Sequence, residues 1–274
     1  MKKEKKNKTV HNLPEFPLGY SIFTKIIVPV VLNMIKLESE ILYFHSKNVA
    51  SMSVSLSRAL STKPGSSIWL TPAHTELLKV AGFLHDIGKV AIPDGVIIKQ
   101  EKLSNDEISL LKGHPIRGWE ILTNNFSELL CSGIRSVFKD HICVAIGVGN
   151  GKKQITETAE ENGWCEPCTS IIKELGLIVR HHHEVPDGTG YPDGLYGDQM
   201  TPLIKIISIA DKICALTEER PYRLGAFPRE SAIKKVLMDD YDWQMHSDEI
   251  AIMAEAAMLH FSKEKRPDEQ YTVL

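Results

Sequence analysis

The residues best suited to chemistry in this chain are His85 and Asp86, which stand side by side in the apolar run 80–90. Apolar residues at helical spacing predict that residues 80–87 form an interior helix that holds the pair away from water. Burying an imidazole and a carboxylate together is costly unless a metal ion or a partner charge compensates them. Lys89 follows at a spacing that places its ammonium on the same helical face. The pair predicts either a metal site or a core histidine bonded to a neighbouring carboxylate.

A second dense group of ligand-type residues is the run HHHEVPDGTGYPDGL at residues 181–195. Three consecutive histidines close an apolar helix and enter a turn rich in Gly and Pro, as expected where ligands line the mouth of a cavity. Asp211 lies in the apolar helical segment 203–216. A carboxylate in a buried helix is rarely left unpaired, so Asp211 is predicted to be a ligand or a salt-bridge partner.

Two single histidines, His45 and His114, are candidate ligands only if the fold brings them beside these residues, because a lone histidine is more often a core or surface residue. His45 lies in the middle of one long helix predicted over residues 35–60, where apolar residues recur at helical spacing without Pro or Gly. His114 stands at the expected end of a helix that begins at Ser104, because the residue before a proline disfavours the helical region.

Composition restricts the class of protein. The 274 residues suffice for one large or two small domains, and a hydrophobic content of 43% is ample for a packed core. A formal net charge of −3 argues against DNA or RNA polymers as partners, so an anionic substrate must meet a local cluster of cations. Arg220 and Arg223 are such a pair, suited to phosphate oxygens.

Cysteine usage and the N terminus predict a cytoplasmic protein. Five cysteines form an odd set with no secretory signal, which favours reduced thiols. The start MKKEKKNK lacks a following apolar region and is expected to be a solvated tail, and the apolar run 26–32 is too short to span a membrane. The first 40 or so residues are too few for a sensor domain, so regulatory input is expected through another segment or a protein partner.

Residues 126–174 mix apolar runs, a Gly-rich turn and a polar stretch, which predicts an excursion or lid. Cys165 and Cys168 form a single CxxC, and its alternatives are redox or zinc chemistry and two small residues opening a helix over 169–177. Amphipathic spacing over 228–263 predicts closing helices.

Together these motifs resemble those of HD-GYP domains, a variant of the HD metal-dependent phosphohydrolases that cleaves cyclic dinucleotides in bacteria. The resemblance runs from His45 to Arg223 through HSKNVA, LHDIGKVAIPD, GHPIRG, HHHEVPDGTGYPDGL, IADKICAL and ERPYR. It implies an all-α fold, an HD-domain helical bundle with a GYP loop. The implied organisation is an N-terminal extension at 1–34, a catalytic domain at 35–225 with an insertion at about 126–165, and C-terminal helices at 226–274 packing on the same domain.

The resemblance also implies a ligand set for two divalent metal ions. Glu184 and Asp187 fix the register of the histidine run, so that His182 and His183 correspond to the family's pair and His181 is extra. Nitrogen and oxygen donors without cysteine suit octahedral ions such as iron or manganese better than one tetrahedral zinc. The implied ligands are His45, His85, Asp86, His114, His182, His183 and Asp211.

The implied chemistry is phosphodiester hydrolysis. Asp86 would bridge two ions about 3.5–4 Å apart, which hold a hydroxide for in-line attack. Lys89 would neutralise charge in the transition state, and Arg220 and Arg223 would hold the second phosphate. The expected reaction converts cyclic di-GMP to linear pGpG, and whether hydrolysis continues to GMP is left open by the sequence. The alternatives are a hydrolase of another cyclic or linear nucleotide, such as cyclic GMP-AMP, and a non-catalytic module that binds the dinucleotide or a partner protein.

Two departures from the family concern a third ion. Some members place one glutamate four residues before the first-helix histidine and another three residues after the last aspartate, where this chain has Ile41 and Cys214. Isoleucine cannot coordinate, and a thiolate suits a centre of hard ligands poorly. Glu38 and Glu40 do not share the helical face of His45. Two ions per chain are therefore expected, with Cys214 as a packing residue.

Overall fold

The fold is known from a computed structural model that describes residues 28–97, 99, 101–126, 166–219 and 225–263. These residues form helices and loops, with an isolated bridge between Asp187 and Tyr196. The prediction of an all-α fold is confirmed. Across the described ranges, every helix is too short or too polar to cross a membrane.

The helices are numbered in chain order. They are α1 Val28–Glu38, α2 Glu40–Thr62, α3 Pro72–Leu84, a 3-10 helix Ile87–Ala91, α4 Asp94–Ile97, α5 Asn105–Lys112, α6 His114–Glu120 with a π-type continuation Ile121–Phe126, α7 Glu166–His181, α8 Pro202–Thr217, α9 Arg229–Lys234 with a π-type continuation Lys235–Asp239, and α10 Ser247–Lys263.

Side-chain caps explain where several helices begin. Ser104 accepts a hydrogen bond from the backbone N–H of Glu107, whose carboxylate accepts from the N–H of Ser104, so the predicted capping box is present at α5. Thr71 and Thr201 cap α3 and α8 through the N–H groups of the third helical residue. Pro72, directly after Thr71, takes the first helical position, where its missing N–H leaves no hydrogen bond unmade.

Two of the predicted helices have different bounds. The single helix over 35–60 is wrong, because Ser39 has extended backbone angles (φ −153°, ψ 111°) and its hydroxyl accepts from the N–H of Leu42 to start α2. The helix predicted through residue 87 ends at Leu84, so that His85 and Asp86 lie in the turn before the 3-10 helix. Helix α7 also begins before, and ends after, the predicted range 169–177.

Helix α2 is the centre of the bundle, with α3, α8 and α10 packed around it. These four helices bury an apolar core that surrounds the histidines and carboxylates singled out above. Its members include Val49, Met52, Leu56, Leu77, Leu78, Ile206, Ile209, Ile213, Met253 and Ala257. Cys214 belongs to the same cluster and is 2% exposed, as expected for a packing residue.

Several predictions fall on parts of the chain outside the described residues. They include residues 127–165, which form most of the predicted insertion, the side chains of Cys165 and Cys168, and the arginine pair Arg220 and Arg223. The domain boundaries near 34 and 225 stay predictions.

Candidate metal centre

The structure brings the seven implied ligands together in the interior of the bundle. Their donor atoms fall into two groups, and within each group the atoms all lie within 4.8 Å of one another. The four-membered group consists of Asp86, His114, His182 and His183. The three-membered group consists of His45, His85 and Asp211. The division into two groups is compatible with a pair of divalent ions.

Different helices supply these side chains, and most of the side chains are buried. His45 projects from α2 and Asp211 from α8, whereas His85 and Asp86 follow the end of α3. The side chain of His183 is the most exposed of the seven at 23%. The cluster therefore reaches solvent on the side of His183.

Three of the histidines are oriented by the ends of helices. The last carbonyl groups of a helix lack an N–H partner within the helix. His85, His114 and His182 each use one such carbonyl, three residues earlier, as the acceptor for their Nδ1–H. The acceptors are the oxygens of Gly82 at 2.8 Å, Leu111 at 2.7 Å and Val179 at 2.6 Å.

This orientation turns Nε2 of each imidazole toward the cluster, and in the neutral ring that nitrogen carries the lone pair. His114 Nε2 lies 3.1 Å from Asp86 Oδ1 and 3.2 Å from His182 Nε2. His85 Nε2 lies 3.3 Å from Asp86 Oδ2 and 3.8 Å from Asp211 Oδ1. Acceptor atoms therefore face one another, and His85 Nε2 and Asp86 Oδ1 are buried without a hydrogen-bond partner among the described residues. Divalent cations would satisfy this arrangement, so the residues present fit a metal centre.

The protonation states suit coordination. Burial, followed by the neighbouring imidazoles, holds the pKa of His182 well below its usual range. Burial likewise lowers the pKa of His183, although Asp211 opposes it. Both rings are therefore neutral at pH 7, as metal ligands must be.

Asp86 lies between the two groups and remains a carboxylate. Burial would raise its pKa, but the charge of Lys89 holds the pKa well below the usual value. Lys89 Nζ donates to Asp86 Oδ2 at 2.6 Å from the next turn, where the 3-10 geometry stacks residues three apart. The predicted shared face of Asp86 and Lys89 is confirmed, although the helix that carries it is not the predicted one.

His45 is held by two carboxylates from one neighbouring helix. Its Nε2 lies 3.0 Å from Asp211 Oδ1, and its Nδ1 lies 2.8 Å from Glu218 Oε2. Burial lowers the pKa of His45, but the hydrogen bonds with Asp211 and Glu218 outweigh it and raise the pKa to about 9. Glu218 was missed by the sequence reasoning. Its position two helical turns after Asp211 was the available signal.

The loop after α7 is built around Glu184, which is fully buried. Its carboxylate accepts hydrogen bonds from the backbone N–H groups of Asp193, Gly194 and Leu195, at 2.6, 3.1 and 3.0 Å. This closes the loop so that the ring of Tyr191 lies 4.8 Å from the ring of His183. Glu184 therefore shapes the loop, a role beyond the register that its place in the sequence indicates.

His181 points away from the cluster. Its Nε2 lies 2.8 Å from Asp193 Oδ2, and Arg180 pairs with both oxygens of the same carboxylate at 2.7 and 2.8 Å. The prediction that His181 is extra agrees with this position.

A comparison with known families decides the fold family. The HD domain profile matches residues 42–216, which is more than half of the chain and includes all seven clustered side chains. The chain belongs to the HD domain family. The matched range includes the His85-Asp86 pair between α3 and the 3-10 helix.

Curated relatives of this HD domain protein are phosphodiesterases by name. A cyclic di-GMP phosphodiesterase response regulator of Xanthomonas campestris is 33% identical over 154 residues, 56% of this chain and 30% of the relative. A cyclic di-GMP phosphodiesterase of Pseudomonas aeruginosa is 28% identical over 214 residues, 78% and 38% of the two chains. A 3′3′-cGAMP-specific phosphodiesterase of Vibrio cholerae is 28% identical over 189 residues, which are 69% of this chain and 30% of the relative. The matched part is about a third of each relative.

Proposed function

We propose that this chain is an HD-GYP-type phosphodiesterase that hydrolyses cyclic di-GMP to linear pGpG. The observation that carries the proposal is the buried cluster in which imidazole lone pairs and carboxylates converge in two groups. The names of the relatives support the choice of a cyclic dinucleotide as substrate.

Two divalent ions, iron or manganese, are part of the proposal. The four-membered group would hold one ion and the three-membered group the other, with Asp86 between them. When bound, such ions supply Lewis-acid charge that activates water and holds phosphate oxygens. Hard oxygen and imidazole donors favour these metals over ions that prefer thiolates.

The chain's own groups account for the rest of the reaction. A water oxygen adds to phosphorus, the bond from phosphorus to the 3′-oxygen breaks, and that oxygen takes a proton. Lys89, whose side chain is 17% exposed beside Asp86, would stabilise the negative charge that develops on the phosphate. His183 and Tyr191 would line the approach, because the cluster reaches solvent there. A cytoplasmic location, predicted from the odd number of cysteines, is also part of the proposal.

Cyclic GMP-AMP is the alternative substrate, because relatives named as specific for it also match this chain. Purified protein kept free of oxygen is assayed with cyclic di-GMP and cyclic GMP-AMP side by side, and its metal content is measured on the same sample. Faster turnover of cyclic di-GMP with pGpG as product is expected. Faster turnover of cyclic GMP-AMP would replace cyclic di-GMP as the proposed substrate. Metal-loaded protein that binds either dinucleotide without turnover would support a binding module instead.

We further propose that Arg220 and Arg223 bind the second phosphate. A double change to alanine is then expected to raise the Michaelis constant by about tenfold or more and to leave the melting temperature within a few degrees, since charge-assisted hydrogen bonds to phosphate are strong and exposed charges contribute little to stability. Initial rates and thermal melting of the same preparation measure both quantities.

The matched control is Arg58→Ala on α2, an exposed position about 20 Å along the helix from His45. Its kinetics should equal those of the unmodified chain. Unchanged kinetics of the double variant together with a large loss of thermal stability would assign Arg220 and Arg223 to structure.

A further inference from the structure

His45 differs from the other clustered histidines in its place on a helix. His85, His114 and His182 lie at helix ends, where carbonyl groups of the last turn are available to orient the imidazole. His45 lies inside α2, where the carbonyls three and four residues earlier already accept backbone hydrogen bonds of the helix. The acceptor that fixes the tautomer and tilt of His45 must therefore come from another element.

Glu218 supplies that acceptor from the C-terminal end of α8. Its Oε2 lies 2.8 Å from His45 Nδ1, and its Oε1 accepts from the side-chain amide of Asn48 at 2.9 Å. Asn48 lies three residues after His45, on the same face of α2, so one carboxylate contacts two positions about one turn apart. The side chain of Glu218 is 19% exposed and that of His45 is 3% exposed.

Asp211 and Glu218 act on opposite nitrogens of the same ring. With Nδ1–H donated to Glu218, Nε2 is the nitrogen that faces Asp211 Oδ1, at 3.0 Å, and its lone pair becomes available to a metal ion once its proton is displaced. A carboxylate behind a metal-bound imidazole raises the basicity of that ligand and holds its orientation. Asp211 lies on α8 and Glu218 caps its C-terminal end, and both carboxylates reach His45 on α2.

We infer that Glu218 is a positioning residue for His45, which presents Nε2 to the metal ion of the three-membered group. The inference rests on the proposed metal centre and not on the identity of the nucleotide. Glu218 would not bind the metal ion itself, because it contacts Nδ1 of His45, whereas Asp211 lies next to Nε2.

The test measures manganese affinity of the full chain by competition with a chelator, using manganese alone as the probe. Glu218→Ala is expected to weaken the binding of one of the two ions by about 10–100-fold, the usual effect of removing such a partner. Glu218→Gln keeps an oxygen that accepts from Nδ1–H and should lose less than about tenfold, because only the charge is removed. Glu219→Gln makes the same charge change at the next position, which is exposed, and should leave both affinities unchanged.

The outcomes separate this inference from the proposed function. Weaker manganese binding by Glu218→Ala, with partial recovery in Glu218→Gln, supports it whether or not the unmodified chain hydrolyses cyclic di-GMP. Active unmodified protein together with unchanged affinity in both Glu218 variants would overturn it and leave the proposed function standing. A lower melting temperature of the metal-free variants with unchanged manganese affinity would show a purely structural role, and an unmodified chain that binds no manganese would overturn the inference as well.

Discussion

Asp86→Ala should reduce hydrolysis of cyclic di-GMP by well over 100-fold and lower the amount of bound metal. Asp86 lies between the two ligand groups, with one oxygen 3.1 Å from His114 Nε2 and the other 3.3 Å from His85 Nε2. Mutation of a residue that only orients a metal ligand lowers metal affinity or activity by about 10–100-fold. The loss of a carboxylate at the centre of the cluster should therefore exceed that range. Turnover and elemental analysis of the same preparation measure both effects.

The control for Asp86→Ala is Asp198→Ala, which removes an exposed carboxylate from the loop after Tyr196. This variant should retain full activity and full metal content. An Asp86→Ala protein with the metal content and activity of the unmodified chain would refute the site.

Gly88→Ala is expected to damage both stability and activity. A Cβ at this position would lie 2.0 Å from the carbonyl oxygen of His114 and 2.6 Å from the backbone nitrogen of Gly118, so α6 must move away from the 3-10 helix. Overpacking of this kind costs about 1–3 kcal/mol. For a chain of this size that lowers the melting temperature by roughly 2–12 °C. Because the shift carries His114 away from Asp86, activity should fall by about 100-fold.

Gly95→Ala is the matched control, because a Cβ there has nothing within 4 Å. Its melting temperature and turnover should stay close to those of the unmodified chain. Equal behaviour of the Gly88 and Gly95 variants would contradict the close packing of α6 against the 3-10 helix.

The clustering of the site was accessible from the sequence because its motifs are short and ordered. His85 and Asp86 are adjacent, and Glu184 fixes which two of the three consecutive histidines face inward. Asp211 stands out because a carboxylate in an apolar helix requires a partner. Residue type and spacing therefore singled out His85, Asp86, the histidine run and Asp211, and the resemblance to HD-GYP domains supplied the register of that run and the other ligands.

What the sequence did not reveal depends on contacts between distant segments or on local competition. The role of Glu218 depends on the approach of α8 to α2, across 173 positions of the chain. The need for glycine at position 88 depends on the backbone of α6, which no local pattern encodes. The break at Ser39 was readable in principle, because a serine before an acidic residue is a common helix start, but the continuous apolar spacing on both sides obscured it.

The number of metal ions per chain tests the central claim most directly. Positions that could have offered further carboxylates carry Ile41, which is 48% exposed, and Cys214, which is buried in the apolar core. Elemental analysis of protein purified without oxygen, combined with anomalous scattering from its crystals, should give two ions per chain. One should lie among Asp86, His114, His182 and His183, and the other among His45, His85 and Asp211. A ratio near one or three, or a third ion beside Cys214, would contradict the two-metal centre.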